Sequence, residues 1–160
     1  MSQQQQRAVL IASADRVRTP DLAAHIGERA RVLGWLRSVR ALGSISFLIV
    51  RDGWGEAQAV ATSAAELAPL TEVGAAVESV VAISGLVAAA PQAPDGVELR
   101  EISIEVISPV REALPVTLSK REVKANIGAQ LDHAVTTNRH PRRRAAFRLA
   151  ASAMAGFRET

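Results

Sequence analysis

Phe47, Gln58 and Arg37 are side chains whose types and spacing can do more than fill a core. A phenyl ring, a primary amide and a guanidinium on one exposed sheet can stack on, hydrogen-bond to and neutralise an unpaired nucleotide. The ring supplies stacking that is indifferent to base identity. The amide offers both a donor and an acceptor to a base edge, which is where discrimination comes from. The alternative for Phe47 is a plain barrel-core ring, and the residue types alone leave both readings open.

These side chains need strands to hold them. Ala30–Val39 alternates, with Val32, Gly34, Leu36 and Ser38 on one face and Leu33, Trp35, Arg37 and Val39 on the other. A turn at Leu42-Gly43-Ser44 leads into Ile45–Val50, and Arg51-Asp52-Gly53-Trp54-Gly55 leads into Glu56–Ala61. Connections this short predict an antiparallel meander with one apolar face and one face turned to water. Thr62-Ser63 is an N-cap signal for a short helix, AAELAPL, that is expected to stop near Pro69. Val77–Ala89 reads as a long, continuously apolar strand, with Gly85 allowing a bend. After the turn-rich stretch 90–96, Val97–Ser108 alternates with a period of two. Its apolar set breaks register once, which predicts a bulge near Arg100-Glu101. Five strands with a helix between the third and fourth is the order of an OB-fold, a five-stranded Greek-key barrel. The fold class is therefore all-β with helical appendages.

The rest of the chain is less regular. Residues 1–16 open with a Gln run and read as a flexible tail ahead of a barrel domain at 17–108. Thr19-Pro20 is a helix-start signal for about one turn, closed by Gly27. His25 in that turn reads as a surface residue, since no second ligand sits at metal-binding spacing. Residues 109–140 hold two prolines near their start and no sustained period, which marks a linker. Residues 141–160 form an amphipathic helix, with Ala146, Leu149, Ala150, Ala153 and Phe157 at helical spacing. Arg142, Arg143 and Arg144 in its first turn oppose the helix dipole, so they call for an outside anion or carboxylates from elsewhere in the chain.

Composition bounds the function. Apolar residues make up 48% and aromatics 3%, so the core must be built from Ala, Val, Leu and Ile. There is no cysteine, which removes disulfides and thiolate metal sites. No apolar run reaches membrane-spanning length and the N-terminus does not resemble a signal peptide, so a cytoplasmic protein is expected. The net charge of +3 is uneven: residues 1–110 carry 9 Lys/Arg against 12 Asp/Glu, and residues 111–160 carry 10 against 4. The basic last third either attracts a polyanion or is a solvated Arg-rich helix face. There is no P-loop, no Gly-rich dinucleotide fingerprint and no Mg²⁺-type carboxylate cluster.

RVLGWLRSVRALGSISFLIVRD followed by Gln58 resembles the N-terminal anticodon-binding domain of aspartyl- and asparaginyl-tRNA synthetases, which are class II enzymes. The resemblance continues through Gly96-Val97-Glu98, Pro109-Val110 to Pro115, Leu131-Asp132-His133 and Arg139-His140-Pro141 into Ala146-Phe147-Arg148. LDHAVTTNRHP departs from the Leu-Asp-Leu-Arg-like run usual there. The resemblance implies an OB-fold in which an aromatic on the second strand stacks on the central anticodon base, a uridine. A glutamine eleven residues later hydrogen-bonds the same base; these positions are Phe47 and Gln58. It further places Arg51 in the Arg-Asp pair after the second strand and Glu98 near the anticodon, with Arg37 and Arg40 as backbone contacts; for Arg51 and Glu98 an edge ion pair stands as an equal alternative. The partner it implies is a tRNA anticodon stem-loop. The last helix corresponds to the opening of the first class II motif, a dimer element, so a homodimer through 141–160 is a further expectation. The second and third motifs, which carry ATP and Mg²⁺, have no counterpart in these residues. No catalytic or metal-binding residue, and no cofactor of this chain's own, is therefore expected. The alternative is a synthetase-like paralogue or fragment that acts as a binding or dimerisation module without ligase activity.

Overall fold

The computed structural model describes residues 16–112 and 114–159, in two compact units divided between Ala113 and Leu114. The first unit is a closed barrel of β1 (Arg29–Leu42), β2 (Ile45–Arg51), β3 (Glu56–Ala61), β4 (Val80–Ala89) and β5 (Val97–Ser108). Neighbours run β1-β2-β3-β5-β4, and β4 returns to β1. Every pairing is antiparallel except β3 with β5, where Gln58 faces Glu98 and Ala59 faces Leu99 in parallel. With α1 (Ala64–Glu72) between β3 and β4, this is the OB-fold topology that the strand order predicts. The 14-residue β1 makes closure possible by serving two partners: Arg29–Trp35 pairs with β4 and Trp35–Leu42 with β2.

The core is aliphatic. Val32, Leu36, Leu48, Val50, Ile83 and Leu99 are buried at its centre, and β3 turns Ala57, Ala59 and Ala61 inward. Two glycines mark where backbones come too close for a side chain. A Cβ on Gly34 would lie 2.4 Å from the Arg51 carbonyl oxygen, and one on Gly85 would lie 2.7 Å from that of Arg100. Gly85 therefore serves a close approach at the β5 bulge. That bulge lies at the expected place: Ser84 faces Ser103 while Leu86 faces Arg100, and Glu101 adopts φ 48°.

Three local expectations are corrected. A bulge between Leu36 and Ser38 shifts the register of β1, so Ser38 pairs with outward Ile49 and Val39 with inward Leu48, the reverse of strict alternation. Pro69 does not stop α1, which runs on to Glu72. The proline removes only the hydrogen bond to the carbonyl of exposed Ala65, and Ser63 with Glu66 supplies a full capping box at the start. β4 begins at Val80 instead of Val77, because Glu78 takes φ 69° and its N–H bonds the Leu36 carbonyl at 2.6 Å. The Thr19–His25 turn is a 3-10 helix with Pro20 near its start, and Gly27 follows at φ 88°. The expected tail lies outside the described residues except Arg16, which bridges to Arg31.

In the second unit the stretch expected as linker carries α2 (Ile127–Asp132), capped by the Asn126 side chain on the Ala129 N–H, and α3 (Ala134–Thr137). α4 spans Pro141–Glu159. Buried His140 donates from Nε2 to the Lys120 carbonyl at 2.9 Å. Arg142 pairs with Glu122 and Arg143 donates to the Gln130 side-chain oxygen, so the chain itself supplies partners for two of the three first-turn arginines. On α4, Phe147, Leu149 and Met154 are exposed. Among the described residues, no helix is long and apolar enough to cross a membrane.

Two polar anchors fasten the barrel. Asp52, itself buried, accepts from the Thr19 N–H and hydroxyl at 2.9 Å each, from the Trp54 N–H at 2.6 Å and from the Gly55 N–H at 2.9 Å. Burial alone would raise its pKa, but the backbone and hydroxyl donors outweigh burial and lower it below the ordinary value. A carboxyl depressed in this way contributes stability that is complete above its unfolded-state pKa of about 4 and is lost as pH falls through the folded value. Denaturant unfolding at a series of acidic pH values is expected to show a loss below about pH 4 in the wild type that is smaller in Asp52→Asn. The second anchor is Arg51, 2% exposed, whose Nη2 donates to Glu78 Oε1 at 2.6 Å. Burial lowers the Arg51 pKa and the Glu78 carboxylate partly restores it, which leaves a buried cation held by a buried anion. Arg51→Met is expected to strand Glu78 in the interior and cost about 3–5 kcal/mol in unfolding free energy, measured by urea denaturation.

Candidate nucleic-acid interface

Strand alternation decides which side chains leave the barrel. Leu48 and Val50 are 0% and 1% exposed, so Phe47, Ile49 and Arg51 project from the opposite, outer face. The pairings lay out three rows across that face. Arg40, Phe47 and Val60 make the first; Ser38, Ile49, Gln58 and Glu98 the second; Trp35, Arg51 and Glu56 the third. Phe47 is half-buried and outside the hydrophobic core, which removes the barrel-core alternative for its ring. Gln58 faces Ile49 directly and is therefore the diagonal neighbour of Phe47 on the same surface, at a Cα spacing of roughly 7–8 Å.

The amide of Gln58 is held. Its Nε2 donates to Glu98 Oε2 at 2.9 Å, and Arg100 Nε donates to Glu98 Oε1 at 2.8 Å. The Glu98 side chain is 5% exposed and that of Arg100 is 54% exposed, so the pair runs from the sheet surface to solvent. An ionised carboxylate only accepts, which fixes the amide with its nitrogen toward β5 and Oε1 turned away. Arg40 is exposed and lies directly opposite Phe47 across the β1–β2 pairing. Arg37, half-buried, is engaged by Glu56.

The structure thus brings Phe47, Gln58, Glu98 and Arg40 to one continuous patch. Arg51 is not among them. Of its two readings, nucleic-acid contact or an edge ion pair, the structure gives an ion pair, but a buried one: the guanidinium is sealed against Glu78 and is not offered to a nucleic acid. Trp35 lies on the outer face, opposite Arg51 and half-buried. Trp54 stands in the β2–β3 turn with the Arg18 guanidinium 4.4 Å from its ring centroid. Arg100 is the residue that sequence reasoning passed over. Its signal is modest: two opposite charges two residues apart on a strand share a face and can pair.

Similarity to known proteins follows the same residues. Residues 30–107 match the tRNA_anti-codon family, described as an OB-fold nucleic acid binding domain. An aspartate–tRNA(Asp/Asn) ligase of Thermus thermophilus is 38% identical over 143 residues, covering 89% of this chain and 32% of that protein. The counterpart from Methanocaldococcus jannaschii is 33% identical over 138 residues, covering 84% and 31%. Among solved structures, the asparaginyl-tRNA synthetase of Pyrococcus horikoshii complexed with asparaginyl-adenylate superposes with a TM-score of 0.77 at 25% identity, over 91% of this chain and 33% of that one. The aspartyl-tRNA synthetase of Entamoeba histolytica shares the fold, with a TM-score of 0.77 at 21% identity over 99% and 39% of the two chains. The chain spans about a third of the length of the curated relatives it matches. It carries an OB-fold domain of the tRNA anticodon family and is homologous to the N-terminal region of aspartate/asparagine-tRNA ligases.

Proposed function

We propose that the barrel binds the anticodon loop of a tRNA on the outer face of β2, β3 and β5, as the N-terminal part of an aspartate- or asparagine-type tRNA ligase. The observation that carries this reading is the diagonal placement of Phe47 and Gln58 on one outward surface. A base splayed from the loop stacks on the Phe47 ring while its edge meets the Gln58 amide. Arg40, exposed beside the ring, supplies salt-sensitive attraction to the sugar-phosphate chain. Glu98 and Arg37 take part at one remove, by holding Gln58 and by pairing with Glu56. Aminoacylation, with its ATP and Mg²⁺, belongs on this reading to residues beyond the barrel, and the working compartment is the cytoplasm, where tRNA is charged.

The test is binding of a tRNA anticodon stem-loop to the 160-residue chain by fluorescence anisotropy at low and moderate salt. Phe47→Ala is expected to weaken binding about tenfold to a hundredfold, from the loss of base stacking. Gln58→Ala should weaken it less and flatten the preference among loop sequences. A wild-type chain that binds no RNA at low salt would refute the proposal.

A second reading, self-association through α4, rests on the exposed Phe147, Leu149 and Met154 of that helix. Sedimentation velocity over a concentration series is expected to show a dimer that Leu149→Glu dissociates; a wild type that stays monomeric at the highest concentration removes this reading.

A further inference from the structure

We infer that the buried Arg51–Glu78 pair is the pin that sets the register of β1 against β2, and that both residues position Arg40. The register belongs to the barrel alone; its consequence, which side chain stands beside Phe47, rests on the reading that Phe47 belongs to an RNA-binding face.

Two registers are open to the β1–β2 hairpin. Trp35 faces Arg51 and Leu36 faces Val50; Arg37 is then the extra residue, and beyond it Ser38 faces Ile49, Arg40 faces Phe47 and Ala41 faces Ser46. Had β1 run on without that extra residue, Val39 would face Phe47 and Arg40 would face Ser46, with the guanidinium on the opposite side of the sheet. Little at the hairpin tip decides between the two. Val39, Leu42 and Ile45 are exposed, so neither arrangement gains a buried apolar set. The turn accepts both as well. A two-residue loop at Gly43-Ser44 becomes a three-residue loop at Leu42-Gly43-Ser44, and both lengths are common in hairpins.

The choice is therefore made at the other end of the hairpin. Leu36 is held from the β4 side: its N–H donates to the Ser79 carbonyl at 2.9 Å, and its carbonyl accepts from the Glu78 N–H at 2.6 Å. The ladder to β4 ends one residue earlier, at Trp35 and Val80, so the Glu78 N–H draws the Leu36 carbonyl aside where β1 loses that neighbour. A bulge, which adds bend and twist, follows at the next residue. Glu78 offers its N–H there only at φ 69°, a conformation that a non-glycine residue adopts at a cost. Its side chain holds it in place, because Arg51 Nη2 reaches from β2 across the outer face of β1 to Glu78 Oε1 at 2.6 Å. The pair is ill suited to raising net stability, since it is buried and Arg51 Nε and Nη1 find no hydrogen-bond partner among the described residues. Its effect is on which arrangement forms, and register is where buried polar pairs act most clearly.

The chain has no cysteine, so introduced pairs report the register without background. In the full chain under mild oxidant, Ala41→Cys/Ser46→Cys is expected to close a disulfide. Arg40→Cys/Ser46→Cys should stay reduced, because those positions lie on opposite faces. Adding Arg51→Met/Glu78→Gly removes both charges, and the glycine keeps the left-handed backbone. In that background Arg40→Cys/Ser46→Cys should now close, at the expense of the first pair. With residues 40, 41 and 46 native, the same background should lower the slope of log affinity for an RNA stem-loop against log salt by about one, as Arg40→Ala does. Hydrogen exchange on the wild type tests the pin without any substitution. The Glu78 amide, outside any strand, should exchange as slowly as the core amides of β1 and β4. A Glu78 amide that exchanges far faster, or no gain in closure of Arg40→Cys/Ser46→Cys, overturns the pin. A slipped register with an unchanged salt slope overturns the part given to Arg40. Failure of the wild type to bind RNA overturns the binding reading, and the cross-links and hydrogen exchange then judge the pin by themselves.

Discussion

The barrel closes on a parallel seam two residues long. β3 meets β5 only where Gln58 faces Glu98 and Ala59 faces Leu99. So short a ladder contributes few backbone hydrogen bonds, and a side-chain bond from Gln58 to Glu98 is laid across it. Inside the seam Ala59 and Leu99 are both 1% exposed, so the apolar core reaches the join from below while the polar pair bridges it from above. The same two strands place the Gln58 amide. On the proposed function, closure and recognition would share their atoms, because the side chain offered to a base is held by a contact across the seam.

Much of this was legible in the amino-acid order because the signals are local. β5 was readable to its ends, bulge included, because a period of two that slips once leaves an extra residue in plain view. The Ser63–Glu66 capping box was half visible as a Thr-Ser start signal. Alternation alone left Phe47 open between the core and the outer face, and it is the burial of Leu48, Val50, Ala57 and Ala59 that turns Phe47 and Gln58 outward.

What was not legible depends on distance along the chain. The β1 bulge falls at Arg37, in a stretch where either register leaves an acceptable pattern, and it is fixed by pairing with β2 and by the Glu78 turn against Leu36. Arg51 reads as an edge residue, on nucleic acid or in an ion pair, because nothing near it announces a buried partner. Its carboxylate is 27 residues away, on a residue whose φ of 69° a sequence pattern gives no reason to expect. Pro69 misleads for a related reason, since a missing N–H is tolerable where the orphaned carbonyl looks into water, and that is a property of the fold.

Asp52 has a mechanical side. Its carboxylate ties the Thr19 backbone and hydroxyl to the N–H groups of Trp54 and Gly55, while three residues earlier Arg16 bridges in parallel to Arg31 on β1. A pull exerted on the chain ahead of Arg16 therefore meets the bridge to β1 first. Only when that yields does the load reach Thr19 and pass through the carboxylate to the hairpin joining β2 and β3, so the two attachments give way in turn.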